Sequence, residues 1–338
     1  VTANDYQNQA LFWALRGGGG GTFGVVVNAT VKTYPDFPVV YANISFELPT
    51  PSTAFWNATE AVNKHIIPLN DAGATGVYTI TPQKAVSGSN DIARLVFDIW
   101  FVNQSDVSYV QEAVMPVIDD IRTSIVDLTD FSVVAIPNVS TMLNERFSGA
   151  DTDGAFLYLG SRLLSRDFLQ SATGAANISK IYQQLTLKPN NFIRGFMVAG
   201  GQVRANEGNI DSALNPAWRS AGLHVVFTSF YQPRYANESK STWERQGQSA
   251  TDVTQLNGPL LRSLEPNVAA YLNEADPHQP DWQRAFWGAN YARLYDIKQS
   301  VDPKNIFITR LGVGSENWDD NGACWTSHTA KLPLVQSL

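Results

Sequence analysis

Apolar and polar positions alternate along Val40-Tyr41-Ala42-Asn43-Ile44-Ser45-Phe46, which predicts a β-strand with one face buried. Strand composition returns at Gly76–Pro82, Ile92–Val102, Phe131–Ile136, Phe192–Val203 and Leu223–Gln232. Between these lie stretches of helical period. Over Pro51–Ile67, Phe55, Trp56, Ala58 and Val62 share one face, and Ser52 or Thr53 can cap the start. Ser105–Ile118, Ser165–Leu185, Ser239–Leu264 and Asn290–Gln299 are also predicted as helices, whereas Thr141–Leu159, rich in Gly and Asp, is predicted irregular. Residues 1–35 are predicted as strand, short helix, glycine loop and strand, the last being Val25–Tyr34, which stops at Pro35. Antiparallel strands interleaved with a few helices predict an α+β layer, one sheet with helices on one face.

Five consecutive glycines, Gly17–Gly21, interrupt this pattern between an amphipathic helical turn and a β-branched run. Ordering so many glycines is costly in entropy, and folded proteins keep them where backbone passes close to something. Here they can present bare N–H groups to a phosphate or a flavin edge. No Gly-Lys-Ser/Thr follows, so this is not a Walker loop. The order is helix, glycines, strand, which excludes the dinucleotide fingerprint of strand, glycines, helix. A turn needed for packing alone is the competing reading.

Composition narrows the function. The chain has 338 residues, 44 % of them hydrophobic and 11 % aromatic, enough for a substantial core. Its net charge of −7, without basic clusters, argues against nucleic-acid binding. No apolar run approaches a membrane span. One cysteine, Cys324, and widely spaced histidines offer no internal disulfide and no metal-ligand motif. Asn-x-Ser/Thr sequons at Asn28, Asn43, Asn57, Asn103, Asn138, Asn177 and Asn237 favour a secreted, N-glycosylated protein; Asn28 is the doubtful one, lying in a predicted strand.

Two stretches carry a resemblance. Leu11-Phe12-Trp13-Ala14-Leu15-Arg16-Gly17-Gly18-Gly19-Gly20-Gly21-Thr22-Phe23-Gly24-Val25-Val26 resembles the segment closing the FAD-binding domain of berberine-bridge-enzyme-like oxidases, of the vanillyl-alcohol-oxidase (VAO) superfamily. Near the other end, Tyr271-Leu272-Asn273-Glu274-Ala275-Asp276, then Trp287-Gly288-Ala289-Asn290-Tyr291-Ala292-Arg293-Leu294, Ile297-Lys298 and Asp302-Pro303-Lys304-Asn305-Ile306-Phe307 are similar to that family's C-terminal signature. The resemblance implies the end of a VAO/PCMH-type FAD-binding domain at 1–38. It implies a substrate domain with a large antiparallel sheet at 39–264, a segment returning to the FAD domain at 265–318, and a surface tail at 319–338.

It also implies FAD as cofactor. Backbone at Gly19, Gly20, Gly21, Thr22, Gly24, Val25 and Val26 would meet it, with Tyr271 and Asn273 facing it from one side of an extended segment and Asn290 reaching the flavin pyrimidine edge. From the residues alone, Asn290 is equally a helix N-cap. The implied reaction passes a hydride from an alcohol-type carbon to flavin, which O2 reoxidises, releasing H2O2. Glu274 stands where sugar-oxidising relatives often carry a tyrosine, which disfavours carbohydrate substrates. Buried beside a flavin it would serve as base; a surface glutamate paired with an arginine is the plainer alternative. Tyr231 and His224 fall on opposite faces of one strand, and Tyr231 is the preferred second catalytic group. The abundance of Phe, Tyr and Trp favours an aromatic or secondary-metabolite substrate. A dehydrogenase, a carbohydrate oxidase and a flavin-free binding subunit are the rival functions. The expected partner is an N-terminal fragment of the same precursor, carrying the rest of the FAD domain and any covalent flavin attachment, held non-covalently or through Cys324.

Overall fold

In a computed structural model describing residues 1–84, 91–125, 127–146, 156–189, 191–231, 242–319, 322 and 324–326, the strand-like segments form a seven-stranded sheet. Its strands are β1 (Val39–Pro49), β2 (Ala74–Lys84), β3 (Ile92–Val102), β4 (Asp130–Ile136), β5 (Leu157–Ser165), β6 (Ile193–Met197) and β7 (Ala221–Phe230). They lie in the order β4-β1-β3-β2-β6-β7-β5, every neighbouring pair antiparallel.

Register sorts the side chains onto two faces. One row across the sheet runs Ile44, Phe97, Tyr78, Gly195, Val225. This face is covered by helices Thr53–Lys64, Val107–Arg122 and Gly174–Gln184, and Phe55, Val114, Val117 and Ile178 from those helices are fully buried with it. The caps are local: Ser52 accepts from Phe55 N–H at 3.1 Å, and Asp106 accepts from the N–H groups of Ser108 and Tyr109. Burying a phenylalanine such as Phe55 or Phe97 this completely is worth about 3–5 kcal/mol against alanine. The opposite face carries the row Asn43, Asp98, Val77, Phe196, His224, Leu163. It is far more polar, and the candidate chemistry sits on it.

The chain divides into two compact units. The sheet unit is Lys32–Glu207 with Ala217–Gln279; the other is Val1–Val31, Gly208–Pro216 and Pro280–Leu338. Residues 265–279 therefore group with the sheet, unlike the boundary expected from sequence, and 208–216 leave it. In the second unit that segment is a strap. Asn215 Nδ2 donates to Ala285 O at 3.1 Å, Asn290 Nδ2 to Leu214 O at 2.9 Å, and Ala213 N–H to Trp13 O at 3.3 Å.

Several predicted elements change. Val25–Tyr34 forms no strand among the described residues, and none precedes helix Gln9–Leu15. Val25, Val26, Val27 and Val31 are exposed, because β-composition needs a neighbouring strand to pair with. Thr141–Leu159 is partly regular: helix Val139–Arg146 and the start of β5 lie in it, with 147–155 outside the described residues. There β7 pairs with β5 and overrides a turn-rich composition. The helix expected over Ser165–Leu185 breaks into Arg166–Gln170 and Gly174–Gln184, Ser171 Oγ donating back to Phe168 O at 2.7 Å. The strand expected to reach Val203 ends at Met197. Within the long helix predicted to Leu264, Asp252–Asn257 widens to π geometry just before Pro259, whose ring crowds the carbonyl four residues back.

Candidate functional site

The glycine run separates into two halves. A Cβ on Gly17, at φ +132°, would lie 2.2 Å from Leu214 N, and one on Gly18 would lie 2.5 Å from Ala14 O. These two glycines serve packing, and Trp287 Nε1–H donates to Gly17 O at 2.9 Å. Beyond them the space opens. Gly19, Gly21 and Gly24 have φ of +96°, +66° and +150°, and a Cβ on Gly20 or Gly24 would meet nothing within 4 Å. Among the described residues, the N–H groups of Gly19 through Val27 find no protein acceptor, although Thr22 and Phe23 are buried. Buried N–H groups are rarely left unpartnered. Gly21 faces Thr309 Cγ2, which a Cβ would meet at 3.0 Å, while Gly20 and Gly24 stay open, and a glycine-rich backbone with free donors fits the pyrophosphate or the carbonyl edge of FAD.

Lys298 holds this loop from beneath. Its Nζ donates to Thr22 O at 2.6 Å, to Phe307 O at 2.5 Å and to Asp302 Oδ2 at 2.6 Å. Burial alone would push the Asp302 carboxyl up. The hydrogen bonds it accepts from Lys298 and from the N–H groups of Ile306 and Phe307 outweigh that and hold it below the usual carboxylate value. Asn290 precedes helix Tyr291–Val301 but does not cap it; its amide N–H groups go to the strap, at Leu214 O and, at 3.4 Å, Ser212 O. That use replaces the N-cap, since Asn290 already has helical φ and ψ.

In the sheet unit, Tyr271 and Asn273 do not lie on an extended segment. Leu272–Glu274 is a 3₁₀ turn, Glu274 N–H donating to Tyr271 O at 3.0 Å, and it brings Asn273 Nδ2 to 2.7 Å from Tyr271 Oη. The same turn carries Glu274 to His224 of β7, Oε2 to Nδ1 at 3.5 Å. Rings surround the imidazole: Phe196 is stacked at 5.8 Å, Tyr271 lies edge-on at 5.7 Å and Trp218 sits at 6.0 Å.

Burial pulls the His224 pKa down to about 4, so the ring is neutral at pH 7 and its contact with Glu274 is not an ion pair. Its Nε2 is buried without a hydrogen-bond partner among the described residues. Burial also raises the Glu274 pKa, partly offset by the positive charge of Arg194. Glu274 is thus a half-buried carboxyl, more basic than usual, beside a neutral imidazole. That combination suits proton removal from a hydroxyl.

Tyr231 is not part of this cluster. It lies just past the end of β7, its ring 5.8 Å from those of Phe156 and Tyr158. Alternation along the strand separates the two residues, as the sequence indicates, and the 3₁₀ turn reaches His224. No spacing rule announces that turn; the one available signal is a histidine inside the apolar run Leu223–Phe227.

Comparison with known proteins places the fold. Residues 270–314 match the family model "Berberine and berberine like". The chain is 36 % identical over 331 residues to an uncharacterized FAD-linked oxidoreductase of Arthroderma benhamiae, covering 96 % of this chain and 54 % of that protein. It is also 36 % identical to the flavin-dependent oxygenase ucdF of Aspergillus ustus, covering 96 % and 57 %. Among solved structures, the VAO-type flavoprotein MtVAO713 of Myceliophthora thermophila C1 superposes with a TM-score of 0.81 at 25 % identity, over 94 % of this chain and 55 % of that one. A variant of berberine bridge enzyme shares the fold at a TM-score of 0.64 and 15 % identity, over 92 % and 62 %. The fold is that of the VAO-type flavoproteins. The chain is similar to FAD-linked oxidoreductases and carries a berberine-like segment at 270–314, and it spans about half the length of the curated relatives it matches.

Proposed function

We propose that the protein containing this chain is an FAD-dependent oxidase acting on an alcohol-type carbon of a small aromatic or secondary-metabolite substrate. The observation that carries this reading is Glu274, its pKa raised by burial, 3.5 Å from a neutral, ring-enclosed His224. FAD, when bound, would supply the hydride acceptor, and O2, reduced to H2O2, would return it to the oxidised form. The chain's residues do the rest. Glu274 takes the hydroxyl proton as the C–H bond breaks, leaving a carbonyl. Phe196, Trp218 and Tyr271 offer an apolar, aromatic boundary around His224 that limits water near the carboxyl. The open half of the glycine loop holds the cofactor through backbone N–H groups of the Gly19–Val26 stretch.

The proposal includes a partner and a location. An N-terminal fragment of the same precursor supplies the rest of the FAD domain, held non-covalently or through the exposed thiol of Cys324. The exposed valines of the 25–31 stretch support this. The protein is secreted and N-glycosylated on its exposed sequons. Intact mass under native and denaturing conditions, with and without reductant, detects the partner. For the activity, the flavoprotein is mixed anaerobically with aromatic secondary alcohols and then with O2. Flavin bleaching followed by peroxide supports the oxidase. Bleaching without peroxide indicates a dehydrogenase, efficient turnover of oligosaccharides a carbohydrate oxidase, and a colourless protein a binding subunit; each refutes the proposal.

A further inference from the structure

Lys298 is buried, its side chain 1 % exposed, beside the glycine loop, where a lysine invites comparison with phosphate-binding cations. Its hydrogen bonds exclude that role. An ammonium has three N–H donors, and all three are spent on Thr22 O, Phe307 O and Asp302 Oδ2 at 2.5–2.6 Å. None remains for a ligand, and the Asp302 carboxylate neutralises the charge. The effect on the loop is one of direction. A trans peptide is planar, with its C=O and N–H pointing opposite ways. Thr22 O drawn onto Lys298 therefore turns the Phe23 N–H away from it. Among the described residues, neither Phe23 N–H nor any other from Gly19 to Val27 has a protein acceptor.

We propose that Lys298, held by Asp302, is a positioning residue that aims the N–H groups of the glycine loop at FAD. This rests on the reading that the loop holds the cofactor. Asp302 anchors the device, tying Lys298 to the following turn through Ile306 N–H at 3.0 Å and Phe307 N–H at 2.9 Å. Phe307 O returns to the same ammonium. The carbonyl of the loop and the carbonyl of the turn are thus fixed to one point.

The test is hydrogen exchange of the peptide spanning Gly17–Val27 in the whole flavoprotein, with and without FAD. It uses wild type, Lys298→Met, the milder Lys298→Gln in case the methionine variant does not fold, and Ile297→Ala. Ile297 is buried on the same helix and makes none of these bonds, so its alanine variant is a control for general destabilisation. The expected result is FAD-dependent protection that falls by about tenfold or more in the Lys298 variants and persists in Ile297→Ala at matched global stability. Equal protection in wild type and the Lys298 variants, or equal loss in Ile297→Ala, overturns the positioning role while leaving the cofactor reading intact. Absence of FAD-dependent protection in wild type overturns the cofactor reading itself, and this inference with it.

Discussion

His224 Nδ1 lies 3.5 Å from Glu274 Oε2, and the two groups respond to burial in opposite senses. Desolvation disfavours whichever form is charged: it lowers the histidine and raises the glutamate. The imidazole is neutral at pH 7, so the pair is not held by an ion–ion attraction. The 3₁₀ turn at Leu272–Glu274 and the rings around His224 hold it instead.

The buried imidazole gives stability a defined pH dependence. An unfolded histidine takes up a proton below about pH 6.5, whereas His224 does so only near 4. Between those values the unfolded state binds more protons, so stability falls as pH falls. The full loss amounts to about 3 kcal/mol at roughly 1.4 kcal/mol per pH unit. Glu274, with its raised pKa, acts with the opposite sign. Urea unfolding of wild type and His224→Leu between pH 7.5 and 4.5 separates them. The wild type should lose about 2–3 kcal/mol more than the variant over that window; parallel curves would contradict a buried neutral histidine.

Glu274→Gln removes the base while keeping the size and polarity of the side chain. Flavin reduction should slow by about 10²-fold or more, with the fold and the bound flavin retained. The wild-type rate should rise with pH through the raised carboxyl pKa, because only the deprotonated form accepts the proton, and that limb should vanish in the glutamine variant. Anaerobic stopped-flow across pH reads both. An unchanged rate returns Glu274 to a structural role.

The two halves of the glycine run should separate stability from cofactor binding. Gly17→Ala places a Cβ 2.2 Å from Leu214 N at φ +132° and should cost about 2–4 kcal/mol. Gly20→Ala meets nothing within 4 Å and should leave the melting of the flavin-free protein nearly unchanged. It should nonetheless diminish the stabilisation that added FAD confers, since a methyl would occupy the cradle. Thermal melts with and without FAD decide it; equal FAD stabilisation of Gly20→Ala and wild type would remove that glycine from the site.

The sheet was legible where pattern and partner coincide: the Ile92–Val102 strand and the core of the 40–46 strand emerge with their expected limits or a few residues more. Val25–Tyr34 has the same composition and forms no strand, because pairing is a tertiary property that composition does not encode. At the candidate site, Glu274 was visible as a departure from a motif. His224 required the 3₁₀ turn, and alternation alone favoured neither it nor Tyr231. The strap at 208–216 carries no periodic signal: its fixed geometry comes from Asn215, Asn290 and backbone bonds made to residues distant in sequence.

The sequons provide a test of the fold that does not depend on the chemistry. Asn28, doubtful from sequence, is exposed and outside any strand, whereas Asn43 is buried in β1. Asn43 Nδ2 donates to Asp98 Oδ1 at 3.0 Å, and Tyr41 Oη donates to the same carboxylate. A glycan on Asn43 would consume that donor and could not fit against the sheet face. Asn57, Asn103 and Asn177 are exposed, Asn103 at a left-handed φ of +62° just after β3; Asn237 lies outside the described residues. If the protein passes through the secretory pathway, glycopeptide mass spectrometry of the folded, secreted material should find glycans at Asn57, Asn103 and Asn177 and none at Asn43. Asn43→Ala should destabilise by about 1–3 kcal/mol whether or not the protein is glycosylated, since it strips a hydrogen bond from a half-buried carboxylate. Glycan found on Asn43 in the folded protein would contradict the β1–β3 register.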